Sequence, residues 1–219
     1  MILGPKQLLK LVRTKKLVEN LSERELTNPE GAGFDLRLGE VYKISGEAFL
    51  GETHRKAPDI ELVARYQHNR HSGKPRQTRR IQNLSGQEVA AASDSGQDGY
   101  QTVTRQARMT GNSILIKPGE FYLIKTVESV NMPANLTASI TPRSTTYRSG
   151  LFIRTGNVPP GYCGGLIFGL KNEGSVTCEI EMGARIVHIQ FHKVEGGGHM
   201  YRGQWQGGRV TTKRKEKQV

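Results

Sequence analysis

The sequence predicts an all-β, mainly antiparallel fold, a sandwich or a barrel, preceded by one short helix. Three observations carry this. From Ser113 onward the chain is a succession of short apolar or alternating runs, SILIKPGEFYLIKTVESVNMP, LTASITPRS, LFIRTGNV, GGLIFGLKN and CEIEMGARIVHIQFHKV, broken by PG, MP, PRS, PPG, NEG and MG corners. That spacing belongs to strands joined by tight turns and not to alternating β-α units. Helical periodicity is confined to the first residues, and no GxGxxG or GxxxxGK[ST] phosphate cradle occurs anywhere.

Taken in order, Pro5 suits the first turn of a helix, and Leu8, Leu9, Val12 and Leu17 follow at roughly helical spacing. SERELTNPEGAG reads as a loop or a short helical turn. FDLRLGEVYKI alternates as a half-buried strand with a kink at Gly39. Residues 64–113 break the pattern: ARYQHNRHSGKPRQTRRIQN is basic and poor in apolar side chains, and SGQEVAAASDSGQDG is small and polar. Neither offers enough apolar surface to offset chain ordering, which predicts a long, partly flexible insertion. TGNVPPGYCGGLIFGLKN reads as a β-hairpin with a tight Pro-Pro-Gly corner and carries no carboxylate; none occurs between Glu128 and Glu173. The run Gly196–Gly198 precedes no helix and reads as a hinge.

The length of 219 residues suits one domain with a large insertion. No apolar run approaches the ~20 residues needed to cross a bilayer, and the opening residues have the wrong order for a secretory signal. The expectation is a soluble, cytoplasmic protein without membrane contact. Cys163 and Cys178 are too few for a disulfide scaffold or a four-cysteine zinc site; they read as two reduced, largely buried thiols on neighbouring strands. The net charge of +12 is uneven: residues 1–53 carry eight basic and eight acidic side chains, residues 54–108 ten against five, and residues 209–219 five against one. Such a field attracts polyanions of any kind, so residues 65–80 and 209–217 are candidate nucleic-acid contacts, although only Tyr66 and Tyr100 could stack bases in the insertion.

Several stretches, in one order, resemble a known superfamily: MILGPKQLLKLV, GFDLRLG (33–39), LIKPGEFYLIKTVESVNMPANL (115–136), TPRSTTYRSGL (141–151), NVPPGYCGGLIFGLKN (157–172), EMGARIVHIQF (181–191) and YRGQWQGGR (201–209). They are similar to the dCTP deaminase and dUTPase superfamily, and the opening helix, GFDLRLG and the GQ-x-QGGR ending lean towards the dCTP deaminase branch. The resemblance implies a distorted jelly-roll-like β-barrel spanning residues 1–219, a homotrimer with active sites between subunits, and a dCTP or dUTP ligand with magnesium on its triphosphate. It implies nucleotide contacts from Arg143, Ser144, Thr145 and Arg148, from Tyr162 in the hairpin, and from the arm beginning at residue 197 through Tyr201, Gln204, Gln206 and Arg209. Arginine forks and hydroxyl donors at a turn suit phosphate oxygens. One of the two PRSTTYRSG arginines is also a candidate for an intersubunit salt bridge.

The resemblance also implies two acids in the hairpin, and both are missing. The aspartate that orients water in dUTPase-type members is matched by Pro159. The glutamate that shuttles protons in deaminase-type members is matched by Gly169. Neither residue exchanges protons, and such help is worth ~10²- to 10⁴-fold in rate. Three expectations remain open: a nucleotide-binding protein without catalysis, a magnesium-dependent dUTP diphosphatase or dCTP deaminase using a displaced acid (Asp35, Glu173, Glu179 or Glu181), or a nucleic-acid-associated trimer. Asp35 reads as structural. TTKRKEKQV reads as a disordered basic tail.

Overall fold

The computed structural model describes residues 1–67, 109–110 and 112–218. Helix α1 (Pro5–Lys15) begins on its proline and carries Arg13 and Lys15 in its last turn, where cations face the helix carbonyls. It ends at Lys16, whose left-handed backbone (φ 52°) lets its N–H reach the Leu11 and Val12 carbonyls. After β1 (Val18–Glu19), Ser22 caps the short helix α2 (Glu23–Thr27) by accepting the Glu25 N–H.

The strands follow as β2 (Phe34–Ser45), β3 (Phe49–Leu50), β4 (His54–Lys56), β5 (Asp59–Arg65), β6 (Met109–Thr110), β7 (Ser113–Ile116), β8 (Phe121–Asn131) and β9 (Leu136–Pro142). Helix α3 (Ser144–Arg148), β10 (Leu151–Arg154), β11 (Cys163–Asn172), β12 (Cys178–Glu181), β13 (Arg185–Lys193) and β14 (Glu216–Lys217) complete the chain. The main sheet runs β10-β11-β8-β2-β13-β9, with β1 on β8 and β5 on β2. Its two ends meet where Val158, just past β10, exchanges both backbone hydrogen bonds with Ala138 of β9, at 2.8 and 3.0 Å. The sheet thus nearly closes on itself, the antiparallel barrel that the strand pattern predicts. Two three-stranded sheets, β12-β7-β6 and β14-β4-β3, flank it.

Period-2 burial builds the core. In β8, Tyr122, Ile124, Thr126, Glu128 and Val130 point inward and the residues between them face outward. Phe34 and Phe191 pack edge to face, 6.4 Å between centroids. At Gly39 the β2–β8 register slips between Leu38 and Glu40, and the Thr126–Val127 backbone lies 2.7–2.8 Å from where a β-carbon would stand. The predicted kink is therefore a bulge against a neighbouring strand.

Three local expectations need correction. Cys163 is exposed and Cys178 half-buried, and they sit in different sheets. Regular structure enters both ends of the stretch 64–113, because Ala64 and Arg65 complete β5 and Met109–Thr110 form β6; the flexible reading of its middle concerns residues 68–108, outside the described residues. The tail is not disordered: Thr212 is buried and bonds Ala57, and Glu216 and Lys217 pair with Arg55 and His54 of β4.

Candidate functional site

A cavity of about 550 Å³ lies beside the β10–β11 hairpin. Its wall comes from Phe121 and Leu123 of β8, Leu166 and Phe168 of β11, Val158 and Pro159 of the hairpin loop, and Tyr201, Trp205 and Arg209 of the tail. β8 and β11 pair along their length (Phe168↔Ile124, Lys171↔Phe121), and the wall draws on both faces of that pair: Phe121 and Leu123 from the outward set of β8, Leu166 and Phe168 from buried positions of β11.

The tail is fastened across this opening by backbone and amide bonds. Tyr201 donates its N–H to the Pro160 carbonyl (2.7 Å), and Gly207 donates to Cys163 (2.8 Å). Gln206 donates from Nε2 to the Gly161 carbonyl and accepts from the Cys163 N–H through Oε1. At Gly164 (φ 125°) a β-carbon would stand 2.4–2.5 Å from the Gly207–Gly208 backbone, so two glycine segments meet without side chains between them. Tyr162 and Tyr201 pack edge to face at 5.5 Å. The Tyr162 hydroxyl donates to the Gly165 carbonyl, and burial, with Tyr201 adding, pushes its pKa up to about 12; it is a fixed donor at neutral pH.

The two positions where acids were expected are filled in different ways. Pro159 lines the cavity directly. Gly169 pairs with Leu123 of β8 and Arg154 of β10, and the Phe121 ring lies 2.9–3.0 Å from where its β-carbon would be. A carboxylate at 169 would need that ring to move. None of the displaced acids lines the cavity: Asp35 is buried elsewhere, Glu173 faces Arg154 and Lys171, and Glu179 and Glu181 are exposed on β12. Sequence reasoning missed Glu216, the carboxylate bonded to the cavity's own Arg209. It accepts from both terminal nitrogens of Arg209, which holds its carboxyl below the usual range, and from Gln204. Its signal was its position as the single acid among the last eleven residues. Trp205, the one tryptophan, was likewise passed over.

The expected nucleotide contacts divide into two groups. Tyr162, Tyr201 and Arg209 gather at the cavity, Gln206 clamps the tail, and Gln204 bonds Glu216 and the Lys217 carbonyl. Arg143, Ser144, Thr145 and Arg148 do not line this chain's cavity. Arg143 instead contacts the buried Asp35 carboxylate within the same chain. Asp35 also receives Arg185 (2.9 Å) and His188 Nδ1 (2.9 Å), with Arg24 at 3.8 Å, while its own N–H donates to the buried Glu25. Burial lowers the His188 pKa, Arg143 adding to the effect against Glu25 and Glu30. Burial also lowers that of Arg143, with Arg185 beside it. Ser144, Thr145 and Arg148 are exposed, and among the described residues Arg148 stands in no ion pair.

A second cavity, about 330 Å³, is polar and holds Glu40 and Glu128. Both are committed: Glu40 to Arg65 (2.9 Å) and Lys125 (3.8 Å), Glu128 to the Arg37 Nε (2.6 Å) and N–H (2.8 Å). Burial pushes the Glu128 carboxyl up while its bonds from Arg37 pull it down. Among the described residues no group of three His, Cys, Asp or Glu is placed to hold a metal, and no helix is long and apolar enough to cross a membrane.

A family model described as dCTP deaminase-like matches residues 2–194. A dUMP-forming dCTP deaminase of Dictyoglomus turgidum is 26% identical over 199 residues, covering 89% of this chain and 81% of that protein. One from a Sulfurihydrogenibium species is 38% identical over 105 residues, covering 47% of this chain and 58% of that protein. The crystal structure of the 2'-deoxycytidine 5'-triphosphate deaminase of Agrobacterium tumefaciens superposes with a TM-score of 0.55 at 16% identity, covering 89% of this chain. This chain spans about half (49%) of that structure's length, and the likeness concerns the fold alone.

Proposed function

Because the chain belongs to the dCTP deaminase-like family, we propose that it binds a pyrimidine deoxynucleoside triphosphate, dCTP or dUTP, in the cytoplasm without turning it over by acid–base catalysis. The observation that carries this reading is the cavity wall: tyrosine, tryptophan and one arginine without a carboxylate, with Pro159 in it and the Phe121 ring against Gly169. Tyr162, Tyr201 and Trp205 offer flat apolar surface to a base, and Arg209 offers a cation to a phosphate once Glu216 yields it. A magnesium ion would be held by the triphosphate oxygens and arrive as part of the ligand, since the wall supplies none of its own. Deamination and water attack are both speeded by a group that takes and returns a proton, and this chain's own wall supplies no carboxylate for it.

The site is completed, in this reading, by a homotrimer. Support comes from Ser144, Thr145 and Arg148, which are exposed and off this chain's own cavity, where a neighbour's nucleotide could meet them. Phe152, beside Lys171 on the exposed face of β10 and β11, supplies apolar area for the contact.

The test is calorimetry and turnover with dCTP and dUTP plus magnesium, on the full chain and on Pro159→Asp, Gly169→Glu and Phe121→Ala/Gly169→Glu variants. Wild type should bind and release neither ammonia nor diphosphate. The double variant, with the ring removed, should gain more deamination than Gly169→Glu alone, on the scale of ~10²-fold or more. Wild-type turnover would favour a displaced acid, and absence of any nucleotide binding would overturn the proposal.

A further inference from the structure

We propose that the outer face of the β3-β4-β14 ribbon binds single-stranded nucleic acid, independently of the nucleotide reading above. Cross-strand partners share a face and neighbours along a strand alternate. Arg55 and Glu216 are partners and face the cavity side, where Arg55 lies over Trp205 (5.9 Å) and Glu216 holds Arg209. His54 and Lys217 are partners on the opposite face, which Lys56 and its partner Phe49 share. Lys215 joins that face, its Nζ 3.9 Å from the centre of the Phe49 ring. The ribbon therefore turns its carboxylate inward and leaves a side of cations with one aromatic ring, 45% exposed. Among the described residues, Lys56, Lys215 and Lys217 stand in no ion pair; the tail's one pair, Arg209–Glu216, is on the inner face.

The chemistry selects the partner. Lys56 on β4, Lys217 on β14 and Lys215 just before it answer a row of phosphates, and the half-exposed phenyl ring, with Lys215 over one face, offers a stacking surface to an unpaired base, which a duplex keeps inside its own stack. The ribbon is held in place for this: Gln218 donates its N–H to Thr53 and its amide to Gly51, and Thr211 bonds Pro58.

The experiment is fluorescence anisotropy of an oligothymidylate of about 15 nucleotides with the full chain across a salt series. Three phosphate contacts give a log–log salt slope of about −2 for a single strand. Lys56→Gln/Lys215→Gln/Lys217→Gln should bring the slope near zero, and each single substitution should reduce it by about 0.7, which keeps the test decisive if the triple variant folds poorly. Phe49→Ala should weaken binding at least about fivefold, the smaller end of a lost base stack, and leave the slope unchanged. Retention should persist in saturating dCTP. An unchanged slope in the lysine variants overturns the proposal, as does equally tight binding of the matching duplex or of phosphatidylserine vesicles.

Discussion

Two regions of this molecule treat charge in opposite ways. Around Asp35 one buried carboxylate gathers Arg143, Arg185 and His188, with Arg24 near, and Glu25 takes its backbone N–H. Around the cavity the wall is apolar and its one cation, Arg209, is bound to Glu216 in the tail. Ionic side chains gather where they tie β2 and β13 to the start of α3, and the cavity wall carries no carboxylate. A buried ion pair is weak evidence of stability gained, yet breaking it is costly; the charges around Asp35 are thus committed to one another.

The largest way to break this contrast is Asp35→Asn. It leaves Arg143 and Arg185 without their anion, while Arg24 keeps Glu25 and Glu30, and because each keeps some contact with water the cost should fall near the lower end of a broken buried pair, about 3 kcal/mol. The urea midpoint should drop while the slope stays constant; an unchanged midpoint would show that the cluster is not structural. Next is Gly164→Ala on the cavity side. Its backbone at φ 125° and the 2.4 Å approach of Gly208 leave no room for a methyl group, and a strained position costs about 1–3 kcal/mol. The effect should be local, with hydrogen exchange at the Gly207 amide rising about fivefold or more and the core unaffected.

The smallest effect is on pH. Burial favours neutral His188, so its folded pKa lies below the ordinary value of 6.5. The unfolded chain takes up that proton first as pH falls. The neutral imidazole therefore contributes its stability above pH 6.5, and this is lost at up to about 1.4 kcal/mol per pH unit as pH falls from there towards the folded pKa. His188→Gln should flatten that limb of the stability–pH curve. If the limb is unchanged, the titrating group lies elsewhere.

How much of this was legible depended on whether a signal was local. The alternation of FYLIKTVESVN fixes β8 and its buried face, and GFDLRLG fixes β2 with its bulge, because period and glycine act within a few residues. The ribbon was not legible: KRKEK has no alternation to announce a strand, and β14 exists because β4 offers an open edge for two residues. The Pro159 and Gly169 positions could be read from motif order alone. That Phe121 fills the space beside Gly169 depends on the β8–β11 register, and that Arg143 answers Asp35 depends on three strands meeting; both are tertiary facts that no window of sequence contains.

The ring beside Gly169 acts as a ratchet. A single substitution that restores a carboxylate arrives in occupied space, while one that first shrinks Phe121 opens a gap on a half-exposed surface and gains nothing by itself. A carboxylate at 169 therefore depends on where a half-exposed phenylalanine on the neighbouring strand places its ring, as well as on the substitution itself.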